Sequence, residues 1–274
     1  MTYLDLVKLI RDIGSDTPDH DAAQLINAFW GKDRQWCLLN KNEPLSYCTA
    51  FERAVQDLNQ HIPIQYIIGE AWFYGNRFTV TPACLIPQPD TEHVVDRALK
   101  HMKNQSMLLD LCTGSGCIAI SVLKQCTSSR GVAVDISKDA LEIAKSNAVL
   151  HGCSNRLDIV EANALAGCTD LVAAADVIVS NPPYIATDVI DTLPKEVQNE
   201  PRLALDGGED GLTFYRHFIL NLTKYMKKDA VMILEIGFDQ AELIKTLCET
   251  ANVSLTLHRD FGGNFRVAEI SHIR

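Results

Sequence analysis

LLDLCTGSGCIAI, residues 108–120, sets how the rest of this 274-residue chain is read. An apolar run ends on Asp110. Thr113-Gly114-Ser115-Gly116 follow, and then a segment of helix composition that continues to Cys126. Strand, tight glycine turn and helix in that order mark the start of a βαβ unit. The pattern repeats outward from here. GVAVDI (131–136) reads as a strand, KDALEIAKSNAVLHG (138–152) as a helix stopped by Gly152, and RLDIVEA (156–162) and ADVIVS (175–180) as strands. AVMILEIG (230–237) is a further strand, followed by the helical DQAELIKTLCETA (239–251). Strands separated by helix-length segments predict an α/β, Rossmann-like, mostly parallel sheet. The unbroken apolar strands predict helices on both of its faces. The last two runs, VSLTLHRD (253–260) and FRVAEISH (265–272), have no crossover helix between them, so an antiparallel strand is expected near the C-terminus.

Upstream the periodicity changes. YLDLVKLIRDIG (3–14), DHDAAQLINAFWG (19–31) and EPLSYCTAFERAVQDLNQ (43–60) have helical spacing, with Gly14 and Gly31 as stops and Pro44 near the start of the third. AWFYGNRFTVTPACLIP (71–87) is aromatic and β-branched, and Gly75-Asn76 is a turn signal, so a β-hairpin is expected. The expected organisation is a small helical bundle over 1–70, a hairpin linker over 71–89 and the α/β domain over 90–274.

Composition excludes several classes. Hydrophobic residues are 47% and charged residues 22%, ordinary for a globular chain. No apolar run reaches the roughly 18 residues of a membrane span. MTYLDLVKLIRDIG has acids among its apolar residues and no cleavage site, so it does not read as a signal peptide. The nine cysteines form neither a CxxC pair nor a Cys/His cluster, which predicts reduced thiols, no metal and a cytoplasmic location. A net charge of −10 lowers the expectation of a nucleic-acid substrate.

The glycine loop carries the first chemistry. Asp110 opens it, Cys112, Thr113, Gly114, Ser115 and Gly116 form it, and Asp135 ends the next strand nineteen residues after Gly116. Glycines let the backbone approach a ligand at the carboxyl ends of the strands, and an acid at the next strand end can accept from a ribose diol. The spacing is D-x-x-x-G-x-G, not the GxGxxG of nicotinamide-binding folds. It resembles the first two motifs of the class I methyltransferases, which implies S-adenosylmethionine. The usual D-x-G-x-G-x-G of that class is broken by Cys112, a small side chain that the turn accommodates if its φ is negative.

SNPPYI (180–185) carries the second. A proline turn after a strand is common, but here Asn181 precedes Pro182-Pro183 and Tyr184 follows them. This resembles the (D/N/S)PP(Y/F) motif of amino-methyltransferases, which act on a planar NH₂. The resemblance implies that the Asn181 side-chain oxygen and the Pro182 carbonyl accept the two protons and that the Tyr184 ring stacks on the flat target.

Five stretches in order, GEAWFYGNRF (69–78), LIPQPDTE (85–92), DLCTGSG (110–116), NPPYI (181–185) and VQNEPRLALDGGEDGL (197–212), resemble the HemK/PrmC family of peptide chain release factor glutamine N5-methyltransferases over essentially the whole chain. The resemblance implies transfer of a methyl group to the glutamine of the release factor's Gly-Gly-Gln loop, with the helical domain binding the factor. Asp110, Cys112 to Gly116, Asp135, Asn163, Ala164 and Asn181 are then expected at the cofactor. Asn181, Pro182, Pro183, Tyr184 and Phe73 are expected at the substrate. An aromatic such as Phe73 is more often core than pocket. Gln88 stands where the family has Arg, and Asn163 where it has an acid at adenine. Glu200 and Arg202 read as fold support. A monomer is expected, with no metal, membrane or direct nucleic-acid contact. The alternatives are a ribosomal protein L3 glutamine methyltransferase, a DNA adenine-N6 methyltransferase and a non-catalytic module keeping the fold.

Overall fold

A computed structural model describes residues 1–273; the last residue of the expected α/β domain lies outside them. Contacts divide the chain into two units, one of Met1–Glu70 with Pro194–Asn199 and one of the remainder.

The first unit is helical, with helices Tyr3–Asp12, Pro18–Trp30, Arg34–Leu39, Thr49–Asn59 and Ile64–Ile68. Thr2 and Asp5 close the first N-terminus reciprocally, and Gly31 ends the second helix in the left-handed conformation. The core is Tyr3, Leu6, Ile10, Leu25, Ile26, Phe51 and Leu58 with their neighbours. The fourth helix starts at Thr49, later than the expected Glu43. The intervening backbone is bonded elsewhere: Leu45 N–H donates to the Met1 carbonyl and Trp30 Nε1–H to the Ser46 carbonyl. The stretch 194–199 joins this unit through His61 Nδ1 and Glu196 Oε1 at 2.7 Å and through Asn199 Nδ2–H, which donates to the His61 carbonyl at 2.8 Å.

A hairpin of β1 (Glu70–Phe73) and β2 (Asn76–Thr79) follows, all but its first residue in the second unit. Its turn is Tyr74-Gly75, both at positive φ (49° and 68°), one residue before the expected Gly-Asn pair. Asn76 already belongs to β2, and its side-chain amide donates to the Tyr74 carbonyl. β3 (Met107–Leu111), β4 (Arg130–Asp135), β5 (Leu157–Glu161), β6 (Val177–Ser180), β7 (Val231–Glu235), β8 (Val253–Arg259) and β9 (Phe265–His272) form one sheet in the order β5-β4-β3-β6-β7-β9-β8. β5 to β7 through β3 are parallel, and β9 lies antiparallel between β7 and β8. Alternate side chains fill the two faces. Leu109, Leu111, Ile178, Met232 and Leu234 pack with Tyr215, Phe218 and Ile244, while Leu108, Ala133, Val179 and Ile233 pack with Val95, Ala119 and Val122. The strand order reverses between β3 and β6, which opens a crevice at their carboxyl ends.

Candidate active site

A cavity of about 220 Å³ lies at that crevice. One wall is the loop after β3, with Cys112, Thr113, Gly114 and Ser115; Asp135 and Ile136 come from β4, and Asn163 and Ala164 from the loop after β5. The opposite wall is Asn181 and Pro183 after β6, and residues 83–88 with Thr91 close it.

The loop after β3 is held by its neighbours. Thr113 N–H donates to the Val134 carbonyl at 2.9 Å, and the Thr113 hydroxyl donates to Asp110 Oδ2 at 2.6 Å. Asp110 is fully buried, is bonded also by Ala119 N–H, and has Oδ1 without a partner among the described residues. Burial pushes its carboxyl up to about 7. Asp135 shapes the same loop: Oδ2 accepts from Gly114 N–H and Oδ1 from Ser137 N–H, both at 2.9 Å. Each oxygen keeps a further acceptor site for a diol in the cavity. Cys112 has φ +60°, not the negative value expected. The chain must reverse at once after Leu111 for Thr113 to reach Val134, so the position adopts the conformation a glycine would. Burial and the neighbouring Asp135 push its thiol well up. Asn163 Oδ1, expected at adenine, accepts from Leu165 N–H at 2.9 Å and so also shapes its own loop.

The corner after β6 is fastened on three sides. Gln240 Nε2–H donates to the Tyr184 carbonyl at 3.0 Å, and the Tyr184 hydroxyl donates to Glu235 Oε1 at 3.3 Å. The segment 205–208 runs alongside, with Ile185 N–H donating to the Leu205 carbonyl and Gly207 N–H to the Ile185 carbonyl. A methyl group on Gly207 would stand 2.8 Å from Tyr184 Cα and 2.9 Å from the Pro183 carbonyl, so this approach requires glycine. Asn181 Nδ2–H donates to Thr91 Oγ1 at 3.1 Å. Among the described residues no donor is bonded to Asn181 Oδ1 or to the Pro182 carbonyl.

The expected site residues are therefore brought together with one exception. Asp110 and Gly116, both bonded to Thr113, and Pro182 and Tyr184, on either side of Pro183, adjoin lining residues without lining the cavity themselves. Phe73 is only 1% exposed and packs edge-on to Phe78 in the core, because β1 turns its odd-numbered side chains into the sheet unit. Glu200 Oε2 accepts from Ile86 N–H at 2.9 Å, and Arg202 pairs with Asp191 at 2.9 Å. Gln88 Nε2–H donates to the Ile86 carbonyl. The sequence reasoning passed over Thr91 and Glu235, although PDTE and LEIG held both. Among the described residues no cluster of His, Cys, Asp or Glu is placed to hold a metal, and no helix is long and apolar enough to cross a membrane.

The sheet order, the glycine loop with its acid and the proline corner define a class I methyltransferase, a class whose methyl donor is S-adenosylmethionine. A ribosomal protein L11 methylase from Lactobacillus delbrueckii subsp. bulgaricus has the same fold, with a TM-score of 0.51 at 20% identity over 71% of this chain and 84% of the other. The methyltransferase small domain family matches residues 93–208 and the PrmC N-terminal domain family residues 5–69. A release factor glutamine methyltransferase of Chlorobaculum tepidum (strain ATCC 49652 / DSM 12025 / NBRC 103806 / TLS) is 36% identical over 90% of this chain and 87% of its own length. This chain belongs to the release factor glutamine methyltransferase family. A bifunctional methyltransferase of Rickettsia bellii (strain RML369-C) is 33% identical over 97% of this chain, which spans 53% of that longer protein.

Proposed function

We propose that this protein transfers a methyl group from S-adenosylmethionine to the side-chain amide nitrogen (N5) of the glutamine in the Gly-Gly-Gln motif of peptide chain release factors. The observation that carries the reading is Asn181, with no donor bonded to its Oδ1 among the described residues, in the lining of a cavity that also holds the glycine loop and Asp135; the Pro182 carbonyl, likewise unbonded, follows it in the chain. Similarity along nearly the whole of a release factor glutamine methyltransferase supports the choice of substrate.

The donor, when bound, supplies an electrophilic methyl on a sulfonium that leaves as a neutral thioether. Asp135 would hold the ribose, the backbone of Cys112 to Gly116 the amino-acid part, and Asn163 and Ala164 the adenine. An amide nitrogen is a weak nucleophile that no side chain deprotonates at neutral pH. Asn181 and Pro182 therefore act by holding both N–H groups, which aligns the nitrogen with the methyl and favours the positive charge that grows on it. Such alignment is worth up to roughly 7–11 kcal/mol in ideal cases. Proline fixes its own φ, so the direction of the Pro182 carbonyl is set before substrate arrives. The helical unit is the part assigned to binding the factor, in line with its match to the PrmC N-terminal domain. The same reading makes the protein a cytoplasmic monomer without direct nucleic-acid contact, in keeping with its net charge of −10. Incubation with a release factor, ribosomal protein L3 and DNA, each with labelled donor, tests it. Label on the release factor is expected. Label on L3 or DNA alone rejects the reading.

A further inference from the structure

Behind the NPPY corner lies a buried carboxylate to which the transfer itself gives no task. Glu235 ends β7, the strand beside β6, whose last residue Ser180 precedes Asn181, and is 1% exposed. Its Oε2 accepts from the Thr91 hydroxyl at 2.5 Å and its Oε1 from the Tyr184 hydroxyl at 3.3 Å. Burying a carboxylate is costly, and an apolar residue of similar size would be cheaper unless the charge serves a purpose.

The hydrogen-bond directions supply one. Thr91, itself 1% exposed, has a single hydroxyl proton, and it is given to Glu235. Toward Asn181, Thr91 can then only accept. The two ends of an asparagine amide have nearly the same shape, so only such partners decide which end points where. An amide turned the other way would set its oxygen against the lone pairs of Thr91. With Nδ2 held at 3.1 Å by Thr91, the oxygen is the end left for the cavity.

We propose that Glu235 and Thr91 are positioning residues for the methyl transfer: the carboxylate orients the Thr91 hydroxyl, and the hydroxyl holds the Asn181 amide with its oxygen toward the substrate nitrogen. The proposal rests on the function proposed above for Asn181. A pH dependence follows. Burial pushes the Glu235 carboxyl up to about 7. Once protonated, Glu235 donates to Thr91, the Thr91 proton turns toward Asn181, and the amide is drawn round with its oxygen inward. Turnover is then full above this value and falls as pH drops through it. The other groups facing Glu235 are Tyr184 from the corner, Arg266 from β9, Asp90 from the turn before Thr91, and Tyr215, whose hydroxyl donates to the Glu235 carbonyl and whose phenol is pushed far up by burial. Burial and Glu235 push the Tyr184 phenol well up, outside this window. Asp110 is also pushed up to about 7, so the acid limb needs the Glu235→Gln variant for its assignment.

Thr91→Val keeps the shape and removes the hydroxyl. It is expected to lower kcat on a release factor about tenfold to a hundredfold while the donor's Kd, by calorimetry, moves less than about threefold. Thr91→Ser restores kcat to within about threefold of wild type. Glu235→Gln loses the acid limb of the kcat profile. Solvent exchange of the Asn181 side-chain NH₂, read by ¹⁵N NMR without substrate, is expected to quicken at least about tenfold in Thr91→Val, because a bonded donor is released. This last readout needs no release factor, so it still reports on the amide if the substrate assignment is wrong. Wild-type exchange in Thr91→Val, or unchanged kcat in that variant, overturns the proposal. So does an acid limb that persists in Glu235→Gln.

Discussion

Asn181 has Nδ2 bonded inside the protein while no donor among the described residues is bonded to Oδ1, and the role proposed for it in aligning an NH₂ group rests on this asymmetry. If the residue acts on the reacting nitrogen as proposed, Asn181→Ala is expected to lower kcat roughly a hundredfold or more, with donor binding by calorimetry changed only a few-fold. Asp110 makes a different contribution. Its folded pKa, about 7, lies above the ordinary carboxylate value, so the folded state favours the neutral form and ionisation costs stability as pH rises from about 4 through 7. Asp110→Asn should therefore raise the Tm more at pH 8 than at pH 5; the reverse order, by scanning calorimetry, would count against this assignment. Cys112 shows what one residue's sequence could and could not convey. That it departs from a glycine pattern is visible in CTGSG. The sign of its φ is not, because that depends on the Thr113–Val134 bond to a strand more than twenty residues away. Cys112→Val places a β-branched side chain in the left-handed region and is expected to destabilise by about 1–3 kcal/mol in thermal unfolding.

At the scale of elements, the corner after β6 is rigid because a second segment is laid against it. Residues 205–208 pair with Ile185, and Gly207 brings two backbones too close for any side chain. Gly207→Ala must push residue 207 away from Pro183 and Tyr184. It is expected to cost about 1–3 kcal/mol of stability and to lower kcat with little change in donor affinity. A variant with wild-type Tm and kcat would show that the clamp is dispensable. The repeating strand–helix rhythm was legible from residue 106 onward because apolar runs and glycine stops are local signals. The start of the fourth helix was not. Pro44 looked like a helix opener, but Leu45 and Ser46 give their backbone groups to Met1 and Trp30, partners that periodicity does not reveal. The helices Arg34–Leu39 and Ile64–Ile68 are too short to register as a period. The hairpin turn fell one residue early because Tyr74, an unusual residue at positive φ, occupies the place where a glycine or asparagine is expected. Thr91 and Glu235 were missed for a similar reason: each looks ordinary alone, and only the sheet register brings the end of β7 next to that of β6.

On the scale of the whole molecule, the chain combines a helical unit with a methyltransferase sheet, and residues 194–199 return to the helical unit just before the segment that clamps the corner. The chemistry proposed for the corner calls for a planar NH₂ group and nothing narrower, so the identity of the substrate is carried by similarity along the full chain and by the helical unit. An acidic molecule with a net charge of −10 is poorly suited to a DNA backbone. The most direct test is to locate the methyl group. A release factor treated with the protein and labelled donor, digested and sequenced by mass spectrometry, is predicted to carry one methyl on the side-chain nitrogen of the Gly-Gly-Gln glutamine, and none when Asn181→Ala is used. A methylated factor with its label on any other residue, or an unmodified factor beside a methylated L3 or DNA, would contradict the account.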